Sequence, residues 1–237
     1  MTDISQSSLN LYNDCPFAYY LKTLGLEPMY YNTKGMEVGT IVHDTLDYFY
    51  KHVFELGMEE QDIFYHTYEI MKKYWKNDLA QEDFEKIVRC LRNHATWLAK
   101  QDFEGVPVTE GFVKAKQWLG YIDFIYPATN TVIDWKTNTK AVLSKNYRRQ
   151  AEVYRILVKE KFGMDIEFFL FFFLYNNEWR KVKYDTPAQK KIKEEMFHIR
   201  EQMLEAIKTG KFPKNPRTEK MCKWCPYRFY CKIEGIQ

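Results

Sequence analysis

Two rhythms divide the chain. Over roughly the first hundred residues apolar side chains return every three or four positions, the period of helices packed on one face. After Pro107 they alternate or run together in short bursts between turn residues, the signature of strands. "SSLNLYNDCPFAYYLKTL" predicts a short helix, a break at Cys15-Pro16, and a second helix with Pro16 in its first turn. "GTIVHDTLDYFYKHVFEL" predicts a helix with Thr40 as N-cap and His43, Asp47, Tyr50 and Phe54 along one face. Amphipathic helices rich in Tyr, Trp and Leu continue from about residue 60 to 101.

"VTEGFVKA", "WLGYIDFIYP" and "TVIDWKT" predict a three-stranded antiparallel meander. A helix over "YRRQAEVYRILVKEKF" follows, closed by Gly163. Then come the strand "EFFLFFFLY", an Asn-Asn turn at 176–177 and a partner strand "EWRKVKYD". Thr186-Pro187 opens a last long helix to about Thr209, stopped by Gly210, and a cysteine-bearing tail ends the chain. No internal repeat or low-complexity linker interrupts this order.

Composition narrows the class. Hydrophobic residues are 46% and aromatics 17% of 237 positions, enough for a packed core and too many for a disordered chain. The run "FFLFFFLY" is far too short to span a bilayer, so no membrane association is expected. The polar start "MTDISQSS" lacks a basic stretch followed by an apolar one, so no export signal is expected. The five cysteines are an odd number, and without export a disulfide framework is not expected. Metal-bound thiolates in a reducing, cytoplasmic compartment suit them better. No G-x-x-x-x-G-K-[ST] is present, so the chain carries no P-loop motor.

Charge is uneven. Residues 44–86 hold eleven acids and five bases, whereas residues 208–232 hold eight bases and one acid. A basic segment interleaved with aromatics suits a phosphate backbone, and a solvated lysine face reads the same way.

The candidate chemistry lies on two of the predicted strands. Asp134 and Lys136 are two apart in "VIDWKT" and so share a face, and a neighbouring antiparallel strand can bring Asp123 of "GYIDFIY" beside them. Two carboxylates and an ammonium on one sheet face are costly to bury without a purpose. A divalent ion such as Mg²⁺ or Mn²⁺ supplies one: carboxylates hold it, and the lysine steadies charge on a phosphate. An exposed edge strand with Lys136 as a salt-bridge partner is the structural alternative. Gln150 and Tyr154, four apart on the following helix, share a face, and that helix is reached through Lys140, Lys145, Arg148 and Arg149. His43 offers an imidazole ligand. In "MCKWCPYRFYC", Cys222, Cys225 and Cys231 form a three-thiolate set, one short of the four that zinc and cubane iron–sulfur clusters take. Cys90, in a helical stretch, reads as an inert buried thiol.

Taken together, "GYIDFIYPATNTVIDWKTNTK", "QAEVY", the opening cysteine segment, "GTIVHDTL" and the closing C-x2-C-x5-C resemble the RecB-like nucleases of the PD-(D/E)XK superfamily, iron–sulfur subgroup. That subgroup includes the AddB nuclease domain and the CRISPR-associated RecB-like exonucleases. The resemblance spans residues 5 to 231. It implies an α/β fold with a restriction-endonuclease-like core, a helical N-terminal insert, and a cysteine-ligated cluster joining the two ends. A single nuclease domain is then expected, with cluster segments at 1–30 and 208–237, a helical region at 36–106 and the nuclease core at 107–207.

Carried over residue by residue, the resemblance makes His43, Asp123, Asp134 and the main-chain carbonyl of Trp135 the ligands of Mg²⁺ or Mn²⁺. Lys136 becomes the catalytic lysine, with Gln150 and Tyr154 lining the site and touching DNA. Glu110 sits where the superfamily often has an acidic residue. Cys15 becomes the fourth thiolate beside Cys222, Cys225 and Cys231, for a [4Fe-4S] cluster or, with the same ligands, zinc. The implied activity is a metal-dependent DNA exonuclease acting on single-stranded DNA or DNA ends, in recombination and repair, CRISPR adaptation or viral DNA processing. The alternatives are a DNA-end-binding adaptor subunit with protein partners in a larger DNA-processing complex, and a zinc-stapled structural protein.

Overall fold

A computed structural model describes residues 3–29, 34–76 and 79–232. Strand β1 (Ile4–Ser5) leads into α1 (Gln6–Asp14) and α2 (Pro16–Thr23). Ser5 caps α1 by accepting from the Ser8 amide at 3.1 Å. Cys15 ends α1 and precedes Pro16, whose fixed φ starts α2. Three helices follow, α3 (Lys34–His52), α4 (Glu60–Tyr74) and α5 (Gln81–Leu98). Because α3 begins at Lys34, Thr40 is inside it and is not its N-cap; its hydroxyl donates back to the Met36 carbonyl at 3.1 Å. Phe54 likewise lies past the end of α3.

The strands β2 (Val108–Ala115), β3 (Trp118–Tyr126) and β4 (Thr131–Lys136) form the antiparallel meander. Helix α6 (Lys145–Phe162) runs from a Ser144 cap to Gly163, whose φ of 67° suits glycine. It carries the chain across to β5 (Phe168–Phe173), which pairs parallel with β4 and antiparallel with β6 (Glu178–Lys183). Helix α7 (Pro187–Thr209) and the short α8 (Glu219–Trp224) and α9 (Arg228–Cys231) complete the described chain. The pattern did not announce β1, which pairs parallel with the start of β3; two residues are too few to carry a period.

The sheet is covered on both faces. Val132, Phe169, Phe171 and Phe173 pack with α6 and α7, while Ile133, Trp135 and Phe172 pack with α3 and α5. Double coverage explains why β5 is an unbroken apolar run, five phenylalanines and Leu170, and why β4 buries four consecutive residues. Among the described residues no helix is long and apolar enough to cross a membrane.

Strand β3 has different partners along its two edges. Strand β2 runs along one edge of β3, while β1 and β4 share the other edge at opposite ends. β1 meets Trp118 and Leu119, and β4 meets Phe124 to Tyr126. Between them lies a fork, at residues 120–123.

Candidate active site

At the fork, side chains take over the backbone's hydrogen bonding. The Trp135 amide donates to Asp123 Oδ2 at 2.7 Å, and the Tyr121 carbonyl accepts from the Tyr154 hydroxyl at 2.5 Å. Gly120 lets α6 come this close: a Cβ there would lie 2.9 Å from Tyr154 Cε1 and 3.1 Å from Leu157 Cδ1.

Asp123, Asp134 and Lys136 converge where β3 and β4 part. Lys136 Nζ lies 2.5 Å from Asp134 Oδ2 and donates to Gln150 Oε1 at 3.2 Å. Gln150 Nε2 donates to Asp134 Oδ1 at 2.6 Å and reaches the Tyr154 oxygen at 3.1 Å. One carboxamide from α6 thus ties the ammonium to the carboxylate, and Tyr154 ties both to the β3 backbone. His43 reaches in from α3, its Nδ1 3.1 Å from Asp123 Oδ1. Asp123 and Asp134 are buried, and His43 and Lys136 are half-buried.

The electrostatics follow from that crowding. Burial lifts the Asp134 carboxyl to about 6; Lys136 pulls it down and the Asp123 charge pushes it up. Burial works against a charged imidazole at His43, but the charge and hydrogen bond of Asp123 carry it to about 9. Burial likewise opposes the Lys136 ammonium, and Asp134 and Asp123 raise it above its ordinary value.

Tyr147 was not singled out by sequence reasoning, although it is one turn before Gln150 on α6. The Lys136 ammonium lies 4.7 Å from its ring centre, and its hydroxyl donates to Asn138 Oδ1 at 2.8 Å. The period of that helix face, Tyr147, Gln150, Tyr154, was the available signal. The basic approach to α6 changes meaning. Lys145 pairs with Glu195 at 2.5 Å and buried Arg149 donates to Asn10, so these two serve packing. Glu110 lies on β2, and its side chain is outside the described residues.

The donor chemistry fits a hard divalent cation: two buried carboxylates repel each other, and an imidazole faces one of them. Among the described residues, however, no three His, Cys, Asp or Glu side chains are grouped as a ready-made metal site. Asp123 spends its oxygens on His43 and the Trp135 amide, and Asp134 is engaged by Lys136 and Gln150.

Far along the chain, Cys15, Cys222, Cys225 and Cys231 line one cavity of about 720 Å³. Cys222 and Cys231 are exposed, and Cys15 and Cys225 are half-buried. Burial raises the Cys225 thiol, a backbone hydrogen bond at Tyr227 lowers it, and the neighbouring cysteines raise it again. Pro226 sits in the turn between α8 and α9 and starts no helix of its own, unlike Pro16. Cys90 is fully buried in α5, and burial pushes its thiol up to about 12.

Residues 3–232 match a family model described as the PD-(D/E)XK nuclease superfamily. No curated protein matches the chain.

Proposed function

The chain belongs to the PD-(D/E)XK nuclease superfamily, whose members are mostly metal-dependent nucleases that usually use Mg²⁺ or Mn²⁺, and on that premise we propose that it is a DNA exonuclease of the RecB-like iron–sulfur type. One observation carries this reading. His43, Asp123, Asp134, Lys136 and Gln150 arrive from α3, β3, β4 and α6 at a single fork in the sheet. An ordinary packing role does not call for an ammonium and two carboxylates there.

In this reading His43, Asp123, Asp134 and the Trp135 carbonyl would hold the divalent ion. The ion supplies Lewis acidity and a water made nucleophilic near neutral pH. The chain's own residues do the rest. Lys136 keeps its positive charge beside the reacting phosphate, where negative charge grows in the transition state. Gln150 fixes the ammonium relative to Asp134, and Tyr154 fixes Gln150 relative to β3. The Tyr147 ring below Lys136 restricts where the ammonium can swing.

DNA as the substrate is supported by the charge of the tail, where eight bases and one acid fall between residues 208 and 232. Exposed Trp224 and Phe229 lie within that segment, as expected of a surface that tracks an unpaired strand. The four cysteines would hold a [4Fe-4S] cluster that staples the two ends of the chain together; what supports this is the C-x2-C-x5-C spacing and the place of all four on the wall of one cavity, although they are not grouped at ligand distance.

Asp134→Ala tests the catalytic reading. Manganese-dependent cleavage of a labelled oligonucleotide should disappear while DNA affinity stays within a few fold, since phosphate contacts elsewhere supply most of it. Cleavage by the variant at the wild-type rate would refute the assignment.

A further inference from the structure

Two large rings stand uncovered beside the fork. Phe112 on β2 and Tyr121 on β3 are direct cross-strand partners, with ring centres 5.3 Å apart and planes tilted by 53°. They are 55% and 57% exposed, unlike the other aromatic residues of β3, which are buried. A cross-strand aromatic pair stabilises a hairpin even in solvent, but leaving both rings this open costs apolar surface that the fold could have covered.

Their place is informative. Tyr121 precedes Asp123 by two residues, about 6.6 Å along a strand. Its carbonyl accepts from Tyr154, which contacts Gln150, which in turn holds Asp134 and Lys136. The backbone under the exposed ring is therefore fixed to the same network as the reacting groups.

We propose that Phe112 and Tyr121 form a stacking platform for an unpaired base of the strand being cut, holding that nucleotide in register with the phosphodiester at Asp123 and Asp134. The occupant is a base because both rings offer flat, sequence-tolerant faces next to a site that binds phosphate. A base inside a duplex keeps its faces stacked on its neighbours, so the platform selects single-stranded DNA or frayed ends. This inference rests on the nuclease reading of the fork and names the residues that would hold the unpaired base.

The test separates the two. Affinity is measured by fluorescence anisotropy in EDTA for labelled oligothymidylate and for an abasic strand with the same number of phosphates. Wild-type protein should prefer the strand with bases by about tenfold or more, from the worth of one or two stacked bases. Phe112→Ala/Tyr121→Ala should lose most of that preference, also when Trp224→Ala/Phe229→Ala is the background, while still binding the abasic strand, and Tyr121→Phe should keep it. A wild type without the preference, or a double variant that retains it, overturns the platform. If the double variant melts early, the single variants Phe112→Leu and Tyr121→Leu carry the same test. Hydrolysis of bis(p-nitrophenyl) phosphate with Mn²⁺ by wild type, and its loss in Lys136→Ala, tests the nuclease reading independently, since that substrate has no base.

Discussion

Gly120→Ala should disturb the site through a single added methyl. The methyl would stand 2.9 Å from Tyr154 Cε1 and 3.1 Å from Leu157 Cδ1, against a comfortable carbon–carbon separation of about 3.5–4.0 Å. The ring has to retreat by roughly half an ångström or more. It is buried, and its hydroxyl is held to the Tyr121 carbonyl at 2.5 Å and to Gln150 at 3.1 Å. Overpacking of this kind costs about 1–3 kcal/mol. For a chain of this length each kcal/mol is worth about 2–4 °C, so Tm should fall by roughly 2–12 °C. The effect on rate should be larger in proportion, because Gln150 fixes Lys136 against Asp134, and a misplacement of about 1 Å costs on the order of a hundredfold. Calorimetry and manganese-dependent cleavage of a labelled oligonucleotide measure the two effects. A cycle with Tyr154→Leu locates their origin, since Gly120→Ala should cost less once the ring is gone. An unchanged Tm and rate, or full additivity with Tyr154→Leu, would refute the reasoning.

Other perturbations probe separate parts of the account. His43→Ala should cut the rate strongly and weaken the preference for Mn²⁺ over Mg²⁺ expected from an imidazole ligand; unchanged metal dependence would make the histidine structural. Replacing Cys15, Cys222, Cys225 or Cys231 with Ser should remove iron and sulfide from anaerobically purified protein and lower Tm, whereas Cys90→Ser should change neither; stoichiometric zinc without sulfide would overturn the cluster. Glu152 is buried, with its carboxyl raised by burial, and accepts from Gln189 Nε2 at 2.7 Å while Gln189 Oε1 has no partner among the described residues. A carboxyl raised in the fold contributes stability below its unfolded value of 4.5 and loses it as pH rises through the folded value. Glu152→Gln should therefore raise stability near neutral pH by about 1 kcal/mol, with the gain shrinking in acid; a uniform loss at every pH would contradict this.

Much of the gathering of side chains at the fork was legible because strands and helices each place side chains on one face with a fixed period. Asp134 and Lys136 had to share a face two residues apart, and Gln150 and Tyr154 four apart had to share a helix face. The order of elements from β2 to α7 followed from Gly163, Gly210, Thr186 and the aromatic run of β5, each a strong local signal. What local pattern could not carry was tertiary. The fork depends on β1 pairing beside β4 on one edge of β3, and no residue of β1 encodes that partner. Thr40 resembled a cap because it is a threonine after a glycine, yet Lys34–Gly39 are already helical and the start of α3 lies upstream. Lys145 and Arg149 belong to the basic stretch that leads into α6, and their partners Glu195 and Asn10 lie far away in sequence, where no local pattern could show them.

The most direct measurement is cleavage of end-labelled single- and double-stranded DNA by wild-type protein and by Lys136→Ala, each with Mg²⁺, with Mn²⁺ and with EDTA. The account predicts that wild type shortens the single strand from an end, faster with Mn²⁺ than with Mg²⁺ and not at all in EDTA. Lys136→Ala should bind the same DNA and leave it intact. Cleavage in EDTA, or cleavage by Lys136→Ala at the wild-type rate, would contradict it.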